Sequence, residues 1–255
     1  MYEYLSKYFS AGLAVILMTI ATRLVMSPVT YKTYVSQARM KVIKPEITEL
    51  NEKFKNDAVK RQQETMKLYN KAGANPLLGC IPALLQLPVF YALFCFFPIA
   101  YQLRGKSFLW AEDLSSYDTI AELPFSIPFY GDHISLLPIL ASIAIFFYTK
   151  MSSGAQMQTS QPGMPNMKYI MYLMPVMMLF FFNNYASAFS LYYFISNILT
   201  ILIMISIKYF IIDEEKIRLQ VQENKKKPTK QNRFQRKMKE MMDEVEKQKK
   251  LQGKK

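Results

Sequence analysis

Four side chains near the start of the chain share one helical face and could act together: Thr19, Thr22, Arg23 and Ser27. Their offsets of 0, 3, 4 and 8 are those of neighbours along an α-helix. The stretch carrying them, Phe9 to Val29, holds twenty-one residues, and Arg23 is its only charge. An arginine at a bilayer centre costs about 2.5–3.5 kcal/mol on insertion scales, so it is retained where it faces protein or water. A second set, Ser190, Tyr193, Asn197 and Thr200, recurs at offsets of 0, 3, 7 and 10 and forms another polar stripe. Gln86 is the polar residue of an apolar segment with prolines at 76, 82 and 88. Such stripes offer hydration and hydrogen bonding in a wet cavity. Arg23 adds a cation for an acidic or polar segment of another polypeptide, since no acidic residue lies within any apolar run. Two plainer readings stand beside these. Arg23, six residues before Val29, can reach the interface along its alkyl stem, and the second stripe can bond helix to helix.

Bond-breaking chemistry has little support. His133 is the only histidine and lies outside the apolar runs, which leaves no His-based triad or metal site within them. There is no HExxH, no phosphate-binding glycine loop, no pair of carboxylates in an apolar run and no central lysine for a Ser–Lys dyad. The expectation is a chain that is not an enzyme and uses no metal or cofactor. Cys80 and Cys95 lie fifteen residues apart in one apolar segment, a separation that favours free buried thiols over a disulfide.

The elements that must position these residues are membrane spans. Charged residues are absent from Ala72 to Leu103, Ile134 to Thr149 and Tyr169 to Ile207, and runs of about 18 or more apolar residues read as transmembrane helices. The last run is too long for one span and breaks at Asn183-Asn184 and the Ser187 region. Five spans follow, at 9–29, 77–101, 134–150, 169–183 and 187–209. The third and fourth are short for an ordinary bilayer, whose thinning or neighbouring helices would absorb the mismatch. Met-rich 171–182 suits lipid and helix packing, and methionine also suits surfaces that take many partners.

Basic residues orient these spans. Residues 30–76 carry ten Lys and Arg, and the tail 210–255 carries fifteen. Residues 102–133 carry only Arg104 and Lys106 against five acids. The positive-inside rule then puts 30–76 and 210–255 in the cytoplasm, with the N-terminus (1–8, an interfacial segment) outside. Ile43, Ile47, Leu50 and Phe54 predict one amphipathic arm of a helical hairpin, and Ala58 to Lys71 the other, with Pro45 a kink or a helix start. Residues 102–133, with Trp110 and several phenylalanines, read as an amphipathic segment on the outer leaflet, and 151–168 as a polar cytoplasmic linker. In the tail, Lys225, Lys226, Lys227, Lys230, Arg233, Arg236 and Lys237 predict contact with anionic lipid or with ribosomal RNA phosphates.

With these residues assembled, the chain resembles the YidC/Oxa family of membrane protein insertases. The stretches that carry the likeness are RLVMSPVTYKTYVSQARMKVIKPEI (23–47), NPLLGCIPALLQLPVFYALF (75–94), SFLWAEDL (107–114), the MP of the fourth span and LYYFISN (191–197). The resemblance implies an all-α membrane fold: five transmembrane helices around a hydrophilic groove open to cytoplasm and lipid, plus the cytoplasmic hairpin. It implies that Arg23, Thr19 and Tyr193 line that groove, and we group Thr22, Ser27, Gln86, Ser190 and Asn197 with them. Hydrophilic tails of nascent membrane proteins would enter the groove while their helices slide into lipid along spans two and five. The implied setting is the bacterial inner membrane, with ribosome, Sec translocon and anionic lipids as partners and a functional monomer. Many relatives carry an extra N-terminal span and a large periplasmic domain, so a partial chain is expected. A small-solute transporter or channel and a membrane-anchored ribosome tether are the competing readings.

Overall fold

The computed structural model describes residues 2–55, 57–74, 81–152, 167–211 and 213–226. After a short helix α1 (Tyr2–Leu5), α2 runs unbroken from Ala11 to Val42, a length of about 48 Å. It continues past 29, where the sequence suggested that the hairpin begins. The proline that could have stopped it is Pro28. Lacking an N–H, Pro28 leaves the Leu24 carbonyl without its helical donor; Ser27 Oγ donates to that carbonyl at 2.8 Å instead. The chain turns at Ile43, and Pro45 occupies the first turn of α3 (Lys44–Lys53), where a missing N–H costs nothing.

The return arm α4 (Ala58–Ala72) is capped at both ends. Asp57 accepts from the Lys60 backbone N–H at 3.0 Å, a bond that holds its carboxyl below the usual carboxylate range. Gly73 closes the helix at φ 65°, the left-handed conformation that glycine adopts freely.

Five further helices follow: α5 (Ile81–Ile99), α6 (Leu136–Ser152), α7 (Met167–Asn183), α8 (Ser187–Ser206) and α9 (Glu214–Lys226). The segments Ala11–Val42 and Ser187–Phe210 are each long and apolar enough to cross a membrane, while Leu84–Ile99, Leu136–Ser152 and Tyr169–Asn183 are apolar but shorter. α8 is the centre of the bundle, packing against α2 on one side and α6 on the other, with α7 on α6. Pro98 in α5 frees the Phe94 carbonyl as Pro28 frees that of Leu24, and the Tyr185 hydroxyl donates to it.

The expectation of an all-helical chain needs one correction. Between α5 and α6, strands β1 (Ala121–Ile127) and β2 (Gly131–Ile134) pair antiparallel, with Glu122 opposite His133. The reversal uses Phe129 at φ 67° and Gly131 at φ 107°. Asn184 holds it by donating to the Tyr130 carbonyl at 2.8 Å.

A second core lies beyond the bundle, at the hairpin end. Met40, Ile43, Ile47, Tyr69, Ala72, Ala74, Ile217 and Val221 are buried together, so α9 docks on α2 and α4 and the start of the presumed tail belongs to the folded body. Burying each large side chain from water contributes about 1.5–3 kcal/mol. The Lys225–Glu46 ion pair beside it is partly exposed and contributes at most about 1 kcal/mol. Apolar docking therefore dominates. Arg39 adds bonds to the Gly73 carbonyl (3.1 Å) and to Gln220 (3.3 Å). Cys95 is a free thiol, as expected, but exposed on α5 rather than buried, and Cys80 lies outside the described residues.

A Cβ on Gly73 would sit 2.8 Å from Asn224 Nδ2 besides straining the left-handed turn. Gly73→Ala is expected to cost about 1–2 kcal/mol and to loosen α9 from α4. Hydrogen exchange in residues 58–72 and 214–226 should accelerate together, and unchanged exchange in both segments would contradict the docking.

Candidate functional site

Arg23 stands about 18 Å along α2 from Ala11 and reaches sideways to α8, where its Nε donates to Ser196 Oγ. Its two Nη groups have no acceptor among the described residues. Arg23 borders a cleft of about 30 Å³, room for roughly two water molecules. α2 supplies Thr30, Thr33, Tyr34 and Gln37 to the cleft wall, α6 supplies Tyr148 and Ser152, and α8 supplies Thr200 and Met204, with Pro82 of α5 at the edge. These lining positions lie between Arg23 and the hairpin end of the bundle. The cleft is therefore displaced from the end where residues 100–135 pack.

The residues singled out in the sequence divide into three groups. Arg23 borders the cleft, and Thr200, a member of the second stripe, joins it. Gln86, Tyr193 and Asn197 connect elements near it. Gln86 Nε2 donates to Tyr193 Oη across α5 and α8 at 3.4 Å, and Asn197 Nδ2 donates to the Tyr193 carbonyl at 2.7 Å.

The third group spends its hydroxyls on its own helix. Thr19 donates to Val15 O at 2.7 Å, Thr22 to Met18 O at 2.8 Å, and Ser27 to Leu24 O. Thr19 is fully buried, and Ser27 serves the backbone beside Pro28. Ser190 is also fully buried, and its Oγ has no partner among the described residues. None of these four borders the cleft. Helical spacing placed them on the right face, but hydroxyls in an apolar setting satisfy the nearest carbonyl.

Sequence reasoning missed Ser196 and the stretch Thr30, Thr33, Tyr34 and Gln37. Both were detectable. Ser196 lies three residues after Tyr193, and the α2 residues continue the Arg23 face at spacings of 7, 3, 1 and 3. The charges of 30–76 mask the α2 residues, because a helix that gains charge along its length looks like the start of a hairpin. Of the basic residues expected to touch lipid or ribosome, Lys225 is paired with Glu46 and Lys226 is exposed at the end of α9. Lys227, Lys230, Arg233, Arg236 and Lys237 lie outside the described residues.

The opposite end of the bundle is closed by packing and by a dense set of polar bonds. Phe182 and Phe189 are fully buried with ring centroids 5.0 Å apart, and Tyr193 lies 5.0 Å from Phe189. Asp118 Oδ2 accepts from Trp110 Nε1 (3.0 Å) and from the backbone N–H groups of Leu136 (2.9 Å) and Leu137 (3.0 Å). That carboxylate satisfies the otherwise orphaned start of α6. The N–H groups of Ser187 and Ala188, which open α8, donate to the carbonyls of Ser116 (2.7 Å) and Leu114 (3.0 Å). Asn183, fully buried, donates from Nδ2 to the carbonyls of Tyr130 (2.8 Å) and His133 (2.9 Å) and accepts from Ser135 N at 3.1 Å. The residues 108–135 are thereby stitched to α6, α7 and α8. Among the described residues no group of three or more His, Cys, Asp or Glu could hold a metal ion.

Comparison with known proteins gives consistent matches. A family model described as the 60Kd inner membrane protein matches residues 2–215. A protein of Parabacteroides distasonis named membrane protein insertase YidC is 43% identical over 247 residues, covering 94% of this chain and 39% of that protein. Proteins of the same name from Bacteroides fragilis and Porphyromonas gingivalis are 44% and 40% identical, covering 89% and 98% of this chain and 37% and 41% of their own lengths. The chain thus spans about two fifths of the length of these curated relatives.

Asn183→Ala would strip a buried partner from the His133 carbonyl and from the Ser135 N–H, while the Tyr130 carbonyl keeps Asn184. At about 1–3 kcal/mol for each orphaned group, the loss is expected to be about 2–6 kcal/mol. Trp110, the only tryptophan, sits in the stitched region and reports it: its fluorescence transition on heating in detergent should move several degrees lower than in the parent chain.

Proposed function

The chain belongs to the 60Kd inner membrane protein (YidC/Oxa) family, and from that membership and the cleft geometry we propose that it is a membrane protein insertase. In this reading all five apolar helices α2, α5, α6, α7 and α8 cross the inner membrane, with the hairpin and α9 in the cytoplasm and residues 102–133 outside. The basic content of 30–76 and 210–255 supports that orientation. An apolar core of about 30 Å accommodates about 20 residues of α2. The rest of that helix then stands in the interface and cytoplasm, and the cleft between Arg23 and Gln37 opens on the cytoplasmic side.

The observation that carries the reading is the free fork of Arg23. Its Nε is committed to Ser196, which fixes the guanidinium plane, while the residue borders the cleft and its Nη groups have no acceptor among the described residues. A fixed, unneutralised fork in a low-dielectric setting suits a transient carboxylate or peptide carbonyl, which it can bind through two hydrogen bonds. The polar tail of a nascent membrane protein supplies such groups. The wet cleft shortens the hydrocarbon the tail must cross. The sealed opposite end keeps the bilayer closed to ions, and the membrane potential, positive outside, draws an acidic tail outward. The apolar surfaces of α5 and α7, with Leu84, Leu87, Tyr91, Leu173 and Met177 exposed, offer the leaving helix a path into lipid. Thr19, Thr22, Ser27 and Ser190 support the helices that form this site, and Gln86, Tyr193 and Asn197 shape its inner end. Ribosome, Sec translocon and anionic lipids are the proposed partners, reached through Lys226 and the basic residues beyond it. The protein works as a monomer without cofactor or nucleotide hydrolysis.

Reconstitution in nucleotide-free liposomes with a small single-span substrate tests the reading; failure to insert under every lipid condition would sink it. In the same assay Arg23→Ala should slow an acidic-tailed substrate at least about tenfold, the equivalent of one charge-assisted hydrogen bond, and a neutral-tailed one much less. Arg23→Lys should be mild. Equal losses for both tails would mark the arginine as structural.

A further inference from the structure

The walls of the Arg23 cleft differ in how firmly they are joined. α8 packs along both α2 and α6 and forms the back of the cleft. α2 and α6, which carry its two sides, share no extensive packed interface among the described residues. A side-chain hydrogen bond spans the gap between them: Gln37 Nε2 donates to Ser152 Oγ at 3.1 Å. Both residues border the cleft. Gln37 lies about 21 Å along α2 from Arg23, so the bond crosses the mouth while the guanidinium lies at the floor.

We propose that Gln37 and Ser152 are a gate across the mouth of the cleft, parting to admit the polar segment of a substrate; this rests on the insertase reading above. The volume makes some opening necessary, because about 30 Å³ holds a few waters and no stretch of polypeptide. Separating α8 from either neighbour would break a long packed interface. Separating Gln37 from Ser152 breaks one neutral hydrogen bond, and water or the incoming chain replaces it at once. The chemistry of the pair suits that exchange. A glutamine amide offers both donor and acceptor to a passing backbone. Neither residue carries charge, so the gate neither repels an acidic segment nor competes with it for Arg23.

Two measurements in the full chain test the gate. In the first, Gln37→Cys and Ser152→Cys are introduced together with Cys80→Ser and Cys95→Ser. The pair is bridged with 1,2-ethanediyl bismethanethiosulfonate, a short reducible reagent that tolerates a separation too long for a direct disulfide. Bridging is expected to lower insertion of a single-span substrate at least tenfold, with recovery on adding dithiothreitol. A bridged protein that inserts at the unbridged rate overturns the gate. If the parent chain and the reduced variant both fail to insert, the insertase reading falls instead.

The second measurement does not depend on insertion. Thr200→Cys, in the same cysteine-free background, places a thiol in the cleft for a charged, water-soluble methanethiosulfonate. Adding Ser152→Ala should raise its labelling rate about fivefold, the factor expected for one net hydrogen bond, and Gln37→Ala should do the same. Labelling unchanged by both substitutions overturns the gate even if insertion proceeds normally.

Discussion

The rest of the architecture depends on the solvation of one guanidinium. Arg23 lies near the middle of an apolar helix, and a charge there is tolerable only if water or protein dipoles reach it. The structure provides both in a particular way. Ser196 takes one donor, which orients the group. The residue borders a space lined by Thr30, Thr33, Thr200 and Gln37. No carboxylate in the described structure neutralises it, so the positive field remains available in the cleft. A salt bridge would have made the helix more comfortable in hydrocarbon and removed its attraction for anything else.

Holding such a site open from one side requires the other side to be shut. The division is visible along α8. Its first turns carry Phe189, Tyr192 and Tyr193 in an aromatic core, while its later turns carry Ser196 against Arg23 and then Thr200 and Met204 along the cleft. The closed end combines dispersion between rings with polar bonds to backbone groups of residues 114–137. This matters because irregular backbone is stable at membrane depth or its margin only when its N–H and C=O groups are satisfied within the protein. Asp118 and Asn183 do that work through five bonds to backbone groups between them. Two of the helix prolines follow the same rule, as the carbonyls freed by Pro28 and Pro98 find the hydroxyls of Ser27 and Tyr185.

Much of this was legible in the sequence because it rests on period and composition. The spacing of Arg23 with its neighbours and that of Tyr193, Asn197 and Thr200 follow from 3.6 residues per turn, and the apolar helices follow from the absence of charge. What the pattern could not supply is where a short hydroxyl turns. Thr19, Thr22 and Ser27 lie on the expected face yet bond backwards to carbonyls four or three residues earlier, so their polarity is consumed before it reaches the cleft. Nor could charge counting find the end of α2. Lys32, Arg39 and Lys41 suggested a separate hairpin, but a helix leaving an apolar phase needs no break to acquire charges. α9 was hidden for a related reason. Its many charges read as tail, whereas Ile217 and Val221, four apart, are enough to dock it once Ile43, Ile47 and Tyr69 offer a surface.

The continuous α2 gives the two cores a common member. Arg23 and Gln37 border the cleft, and Met40 lies in the second core three residues beyond Gln37, about 4.5 Å along the same rod. An α-helix without a break transmits rotation and tilt over such a distance with little loss. The position of the cleft mouth is therefore set partly by how α9 and α4 seat against Met40 and Ile43, and partly by how α8 holds Arg23. A helix broken where the composition changes at 30 would have separated these influences. Because Ser27 repairs the backbone at Pro28, they remain coupled, and the hairpin end of the molecule contributes to the geometry of a site whose charged group lies about 21 Å below its mouth.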